Sequence, residues 1–175
     1  MGFIKQSLSD VKEAEVVPGE REYDLRVVSV TSKKSKAWEE AGNDSDNMIQ
    51  LVIAIEDPEF PDASPIFENI MLTRPDDGDP KTTTFNKMAL LKQRRILECL
   101  GVPYEADGWD PDDLIDATGR ATVLKVEAED KNGKKTGEYR NEIRWPRLAR
   151  EEKEEGRSSG SSNVVATKGR ARRRG

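Results

Sequence analysis

The sequence has no histidine and only one cysteine, Cys99, among its 175 residues. A chain without histidine has no Ser-His-Asp triad and no Cys-His dyad. One cysteine is too few for an internal disulfide or for the usual Cys/His zinc site. No apolar run approaches the roughly 20 residues that cross a bilayer, and the start of the chain lacks the pattern of a secretory signal. We therefore expect no membrane span, no secretion and little scope for enzyme chemistry.

The composition is more polar than that of a typical globular domain. Hydrophobic residues make up 34% of the chain and charged residues 36%, although the length suffices for one domain with a core. The polar excess is greatest at the end, where residues 151–175 contain only Val164 and Val165 as core-forming residues. We divide the chain into an N-terminal arm (1–18), one domain (19–150) and a disordered tail (151–175).

Charge is distributed unevenly between the body of the chain and its end. Residues 156–175 contain six basic and no acidic residues, whereas the whole chain has a net charge of −5, which leaves −11 for residues 1–155. A body of this charge does not attract nucleic acid by its net charge. Any site for a polyanion in it must therefore be a local basic patch.

Five segments have the composition or alternation typical of β-strands: residues 21–34, 47–57, 65–73, 119–130 and 137–148. The second segment alternates most clearly, because its apolar residues at positions 49, 51, 53 and 55 share one face. In the first, the adjacent Val27 and Val28 interrupt the alternation and predict a β-bulge. Before the last strand, the Asn-Gly pair at 132–133 favours a primed hairpin turn.

One helix is predicted between the third and fourth strands, over residues 83–100. Thr83 or Thr84 is suitable as its N-cap, and Gly101 and Pro103 follow its end. Six residues share its predicted core-facing side: Phe85, Met88, Ala89, Ile96, Cys99 and Leu100. Asp110 before Pro111 predicts a second, short helical start.

The order strand, strand, strand, helix, strand, strand is that of an OB-fold, a small Greek-key barrel. We therefore expect a mainly β protein: a five-stranded OB-fold barrel with one helix between strands 3 and 4 that plugs the barrel end. In such a barrel, the loop after the first strand and the hairpin before the last strand flank the face that binds single strands.

Both of these loops combine basic with aromatic residues, which suits single-stranded nucleic acid because cations contact phosphates and rings stack on bases. The first begins with three lysines and Trp38, and the hairpin leads into Tyr139. Adding strand residues that could face outward gives the predicted DNA-binding set: Arg26, Lys33, Lys34, Lys36, Trp38, Phe67, Lys134, Lys135, Tyr139 and Arg140.

Each feature also has a purely structural interpretation. Lysine-rich hairpin tips are common solvated turns, Trp145 is equally suited to the core, and Phe67 is as compatible with cover by the arm as with exposure. The aspartates at 76–79 resemble half a calcium loop but lack its spacing, and those at 110–113 are typical of helix capping. We predict no catalytic residue, no metal site and no cofactor.

Several segments resemble a known family: residues 19–30, the strand 47–57 before Pro58, Ile66-Phe67, the helix end 90–103, residues 113–115 before Gly119, and 137–141 followed by 146–148. In these segments the chain resembles the bacteriophage single-stranded-DNA-binding proteins of OB fold. The resemblance covers roughly residues 19–148. It implies sequence-nonspecific binding of single-stranded DNA in phage replication or recombination, in the host bacterial cytoplasm and without a cofactor.

Two features depart from the family, and two rival functions stay open. Many such proteins end in an acidic recruiting tail, whereas this chain ends in arginines, and residues 116–118 separate Leu114-Ile115 from Gly119. The leading alternative is an OB-fold module that recruits a phage or host replication or recombination protein. A metal-dependent nuclease built on the aspartates is the third hypothesis. The sequence does not define the oligomeric state.

Overall fold

The computed structural model of the chain describes residues 12–149. The predicted tail and the first eleven residues of the predicted arm lie outside the described residues. In chain order the elements are β1 (Arg21–Lys33), α1 (Lys36–Glu40), β2 (Met48–Ile55), β3 (Ile66–Met71), α2 (Pro80–Cys99), a 3₁₀ turn (Pro111–Leu114), β4 (Thr118–Glu129) and β5 (Lys135–Arg144). Across residues 12–149, neither α-helix combines the length and apolarity needed to cross a membrane.

The strands form one antiparallel sheet with the order β3-β2-β1-β4-β5. The long β1 joins its two halves, because residues from Leu25 onward pair with β2 and residues up to Arg26 pair with β4. The register shifts between Val27 and Ser29, with Val28 exposed. The bulge predicted from the Val-Val pair is therefore confirmed, and it lies where β1 passes from one partner to the other.

One face of the sheet covers the hydrophobic core. In β2 every second residue is buried from Ile49 to Ile55, which confirms the predicted alternation. In β3 Ile66 and Ile70 are buried, while Phe67 between them points to solvent. The core therefore lies on the side of the sheet that the β-strand periodicity of 2 indicates.

The predicted closure into a barrel is not observed. In the described part of the chain no backbone ladder joins β3 to β5, so these two strands remain the edges of an open sheet. Side chains of α2 occupy the β3 edge: Lys92 Nζ donates to the carbonyl oxygen of Asn69 at 3.1 Å, and Gln93 Nε2 donates to that of Met71 at 2.8 Å. These carbonyls are satisfied by the helix rather than by β5.

The helix between strands 3 and 4 is present, but it begins earlier than predicted, and its buried face matches the prediction only in part: Ala89, Ile96 and Leu100 are buried as expected. Asp79 caps it through the amide of Lys81, and Pro80 occupies the first turn. Its end follows the expected chemistry, because Gly101 has a φ of 65° and the amide of Val102 donates to the carbonyl of Leu97. Met88, assigned to the core-facing side, is 63% exposed, whereas Gln93 and Leu97 are buried.

The C-terminal end of α2 lies directly against the start of β4. A Cβ atom at Gly119 would lie 2.4 Å from the carbonyl oxygen of Cys99, so only glycine allows this approach. The preceding 3₁₀ turn is capped by Asp110, as predicted, and its Leu114 is fully buried. Backbone contact therefore fixes α2 on its β4 side.

The hairpin between β4 and β5 differs from the prediction in turn type. A primed turn needs a positive φ at Asn132, but only Gly133 has one, at 74°. The amide of Gly133 donates to the carbonyl of Asp130, and a bulge follows, which is the geometry of a type I turn with a left-handed glycine. The Asp130 carboxylate favours this form by accepting from the amides of Asn132 and Lys134.

Candidate nucleic-acid interface

The two sheet edges face each other across an open cavity of about 640 Å³, which we call the β3–β5 groove. It is lined by residues 64–69 around β3, by residues 139–143 of β5, and by Val16 and Lys92. The antiparallel pairings make β3 and β5 run in the same direction as β1. The space that a closing β3–β5 ladder would occupy is therefore a groove open to solvent.

Two exposed aromatic side chains line this groove. Phe67 is 64% exposed because it alternates with the buried Ile66, and Tyr139 on the opposite strand is 49% exposed. The ammonium group of Lys125 lies 4.9 Å from the centroid of the Tyr139 ring, which is within the range of a cation–π interaction. The alternative interpretation, in which the arm covers Phe67, is not observed among residues 12–149. The Phe67 ring is accessible to solvent there.

A chain of polar contacts crosses the groove at Glu68. One carboxylate oxygen of Glu68 accepts from Lys92 Nζ and the other from Trp145 Nε1, at 3.1 Å. Trp145 also packs against the core, in agreement with its structural interpretation. The contact ties β3, α2 and the segment after β5 together through side chains rather than through a backbone ladder.

The arm crosses the groove near the start of β3. Glu15 pairs with the backbone on both sides of Ala63, and Val17 is completely buried. Asn141 of β5 accepts from the Val17 amide at 2.9 Å and donates to its carbonyl at 3.0 Å. Residues 12–18 contain no helix. Sequence reasoning missed this buried asparagine, because nothing local indicates a partner 124 residues away.

Arg140 reaches the groove, but a neighbouring acid already neutralises it. Its guanidinium donates to Glu142 Oε1 at 3.0 and 2.8 Å. With Glu68 and Lys92 also paired, the charges on the groove walls balance. Glu142 stands at the i,i+2 position from Arg140, and side chains two residues apart on a strand point to the same face, so the two can pair.

The β1–β2 loop holds Trp38 less freely than its polar surroundings suggested. Trp38 lies in the short α1, is half-buried, and donates its indole N–H to the carbonyl of Ser45 at 2.9 Å. Among the lysines, Lys36 lies 3.8 Å from Glu40, whereas Lys33 and Lys34 form no ion pair within residues 12–149. The two unpaired lysines are the available cations of this loop.

The β4–β5 hairpin also contains both paired and unpaired cations. Lys135 lies 3.5 Å from a carboxylate oxygen of Glu127, while Lys134 at the tip is exposed and has no acidic partner in the described range. On β1, Arg26 is bound to Glu56, and this hydrogen bond raises the pKa of the arginine further above its usual value. Arg26 thus stays charged but is already paired with Glu56.

The structure brings only part of the predicted DNA-binding set together. Phe67, Tyr139 and Arg140 share the β3–β5 groove. The lysines that follow β1 and the lysines of the β4–β5 hairpin lie at opposite ends of the sheet. Lys33 is the last residue of β1, whereas β4 extends beyond Arg21, the first residue of β1, before it reaches the hairpin. Lys92 and Lys125, which were not in the set, lie at the groove wall and over Tyr139.

The aspartate clusters act as local caps. Asp77 accepts from the amide of Asp79 and from the Thr82 hydroxyl, and these hydrogen bonds lower the pKa of its carboxyl group. Asp110 caps the 3₁₀ turn through the amide of Asp112. Over residues 12–149, no group of three acidic or cysteine side chains is arranged to hold a metal ion.

Comparison with protein-family models and with curated proteins gives no match for this chain. The resemblance to phage single-stranded-DNA-binding proteins therefore rests on the sequence pattern alone. What the chain binds has to be argued from the groove and its surroundings.

Proposed function

We propose that the domain binds single-stranded DNA without sequence preference, in the β3–β5 groove and on the adjacent loops. The observation that supports this most directly is the pair of exposed rings, Phe67 and Tyr139, on opposite walls of one open groove. Exposed aromatic rings stack on any base and so bind a single strand independently of sequence. The sequence resemblance assigns this activity to phage DNA replication or recombination.

The strand order and the helix position support an OB-type barrel that is open between β3 and β5. In this proposal, the ligand lies where the barrel seam is open rather than on a closed wall. Phe67 and Tyr139 contact bases, while the unpaired cations Lys33, Lys34 and Lys134 contact phosphates at the two ends of the binding path. Lys36, Lys135, Arg26 and Arg140 contribute only if DNA displaces their carboxylate partners. Trp38 contributes through the exposed part of its ring.

A second candidate is a protein-interaction module that recruits a replication or recombination protein. The paired cations favour it, because Arg26, Lys92 and Arg140 are each bound to a carboxylate. A surface whose positive charges are already neutralised attracts a polyanion weakly. Binding of a partner protein that salt does not weaken, without any DNA binding, would select this alternative.

Titration of a fluorescent strand of about 30 thymidines at two salt concentrations tests the proposal, since one OB domain covers about 4–16 nucleotides. The matched comparison is a full-length variant with four tail arginines changed to glutamine: Arg170, Arg172, Arg173 and Arg174. We expect salt-sensitive binding by both proteins. Binding by the wild type alone would mean that the tail arginines, rather than the groove, contact the DNA. Binding by neither protein would contradict the proposal.

A further inference from the structure

A second groove lies on the opposite side of α2 from Met88 and has an apolar floor. Its volume is about 490 Å³, and its lining includes Ile49, Leu72, Leu97 and Trp109. Two apolar side chains at this groove remain exposed, Leu90 at 55% and Tyr104 at 41%. We call it the α2 groove. The proposed DNA interface makes no use of it.

The rim of the α2 groove carries a net negative charge. Glu105 and Asp107 line the groove directly, and the segment 98–116 to which they belong contains seven acidic residues and no basic ones. All seven are exposed: Glu98, Glu105, Asp107, Asp110, Asp112, Asp113 and Asp116. Arg94 lines the groove but is paired with Glu98 at 2.9 Å. Hydrogen bonds from Tyr104 and Arg94 lower the pKa of Glu98, so this carboxyl group also stays ionised. The groove thus suits an apolar segment that carries positive charge.

The end of this chain has that composition. Val164, Val165 and Ala166 are followed by Lys168 and four arginines, with no acidic residue after Glu155. We propose that this C-terminal segment docks in the α2 groove of its own domain. In this arrangement the two valines lie on the apolar floor, and the following cations lie against the acidic rim.

The connecting chain is long enough for this contact. Fourteen residues lie between Ala149, the last described residue, and Val164, and the fifteen Cα–Cα steps across them span up to roughly 50 Å at about 3.3 Å per step. A domain of this size has a radius of gyration of about 14 Å, and its whole width is therefore below 40 Å. The connecting chain is therefore long enough to span the width of the domain.

Docking keeps the basic segment on the domain's own acidic surface. Five cations that would otherwise bind any polyanion are then neutralised in the same molecule. This inference is independent of the β3–β5 groove and holds whether or not that groove binds DNA.

The indole N–H resonances of the ¹⁵N-labelled full chain provide the test, because the protein has three tryptophans and only Trp109 lines the α2 groove. The variant changes four tail arginines to glutamate: Arg170, Arg172, Arg173 and Arg174. We expect the Trp109 resonance to shift by more than its linewidth while those of Trp38 and Trp145 stay in place. An unchanged Trp109 resonance overturns the proposal.

A pair of substitutions on α2 provides the reciprocal test. Leu90→Asn alters the α2 groove, while Met88→Asn alters a similarly exposed residue outside it. We expect only Leu90→Asn to shift the methyl resonances of Val164 and Val165 in the full chain. Equal effects of both substitutions, or tail-dependent shifts at Phe67 and Tyr139 instead, would show that the segment does not dock in the α2 groove.

Discussion

On its β4 side, α2 approaches the sheet so closely that a Cβ at Gly119 would lie 2.4 Å from the carbonyl oxygen of Cys99. On its β3 side, by contrast, the helix reaches the strand through the long side chains of Lys92 and Gln93. The first region is closed by this direct approach of backbone to backbone, and Ile96 and Leu97 near the end of the helix are almost completely buried. The second leaves the β3–β5 groove open.

This difference separates what holds the domain together from what is available to a ligand. Close packing makes the β4 side sensitive to every change of volume. The β3 side is held by polar side-chain contacts, Lys92 with Glu68 and Gln93 with the carbonyl of Met71, and the Lys92 side chain is 45% exposed. Substitutions on the β4 side should therefore change folding, and substitutions around the β3–β5 groove should change binding.

The largest effect is expected for Ile96→Ala, which removes a fully buried side chain from α2. Its cost in the free energy of unfolding should be about 2–5 kcal/mol because a cavity remains in the core. Met88→Ala on the same helix, where the side chain is 63% exposed, should change it by less than about 0.5 kcal/mol. Urea denaturation measures both, and similar losses would contradict the assigned faces of the helix.

Gly119→Ala should have the next largest effect. The added methyl group meets the backbone carbonyl of Cys99 rather than a flexible side chain, so the helix or the strand must move. We expect a loss of about 1–3 kcal/mol. Thr118→Ala, at the exposed neighbouring position, is the control and should be nearly neutral. A stable Gly119→Ala variant would mean that this side is less closely packed than described.

Phe67→Ala tests the open side. If the exposed ring stacks on a base, the variant should lose about 1–3 kcal/mol of binding free energy for oligothymidine, a rise in Kd on the order of 5- to 150-fold. Its stability should stay close to that of the wild type because the ring is 64% exposed. Met88→Ala, which truncates a 63% exposed apolar side chain outside both grooves, should leave the affinity unchanged. Equal losses would remove the β3–β5 groove from the binding site.

Lys134→Gln should have the smallest effect. Loss of one phosphate contact should reduce the log–log dependence of affinity on salt by about 0.7. Lys87→Gln, on the exposed face of α2, should leave the slope as it is. Fluorescence titrations of both variants at several salt concentrations measure the difference. An unchanged slope for Lys134→Gln would exclude the hairpin tip from the path of the strand.

Local patterns in the sequence were enough to predict much of the fold. Alternation gave the buried face of β2, the Val27-Val28 pair gave the bulge in β1, and Gly101 gave the end of α2. Each of these depends on residues that are neighbours in the chain. The start of α2 could have been predicted as well, because Asp79 before Pro80 is the same cap-and-proline signal that identified the 3₁₀ turn.

The remaining features depend on contacts between distant segments. The apolar residues of α2 surround the helix, so periodicity alone did not show that Leu97 rather than Met88 faces the core. At the open sheet edge Gln93 bonds to a carbonyl 22 residues away, and the arm is bonded to Asn141 of β5, 124 residues from Val17. For the candidate site, residue types predicted Phe67 and Tyr139, but the carboxylates that neutralise Arg26 and Arg140 became clear only from the fold.

The most direct test of the central claim is a chemical-shift map of the isotope-labelled full chain titrated with oligothymidine. The account predicts that the largest changes fall on the β3–β5 groove, at Phe67, Tyr139 and their neighbours, while Tyr104 and Trp109 of the α2 groove shift much less. Changes confined to the α2 groove or to residues after 149, with Phe67 and Tyr139 unaffected, would contradict it.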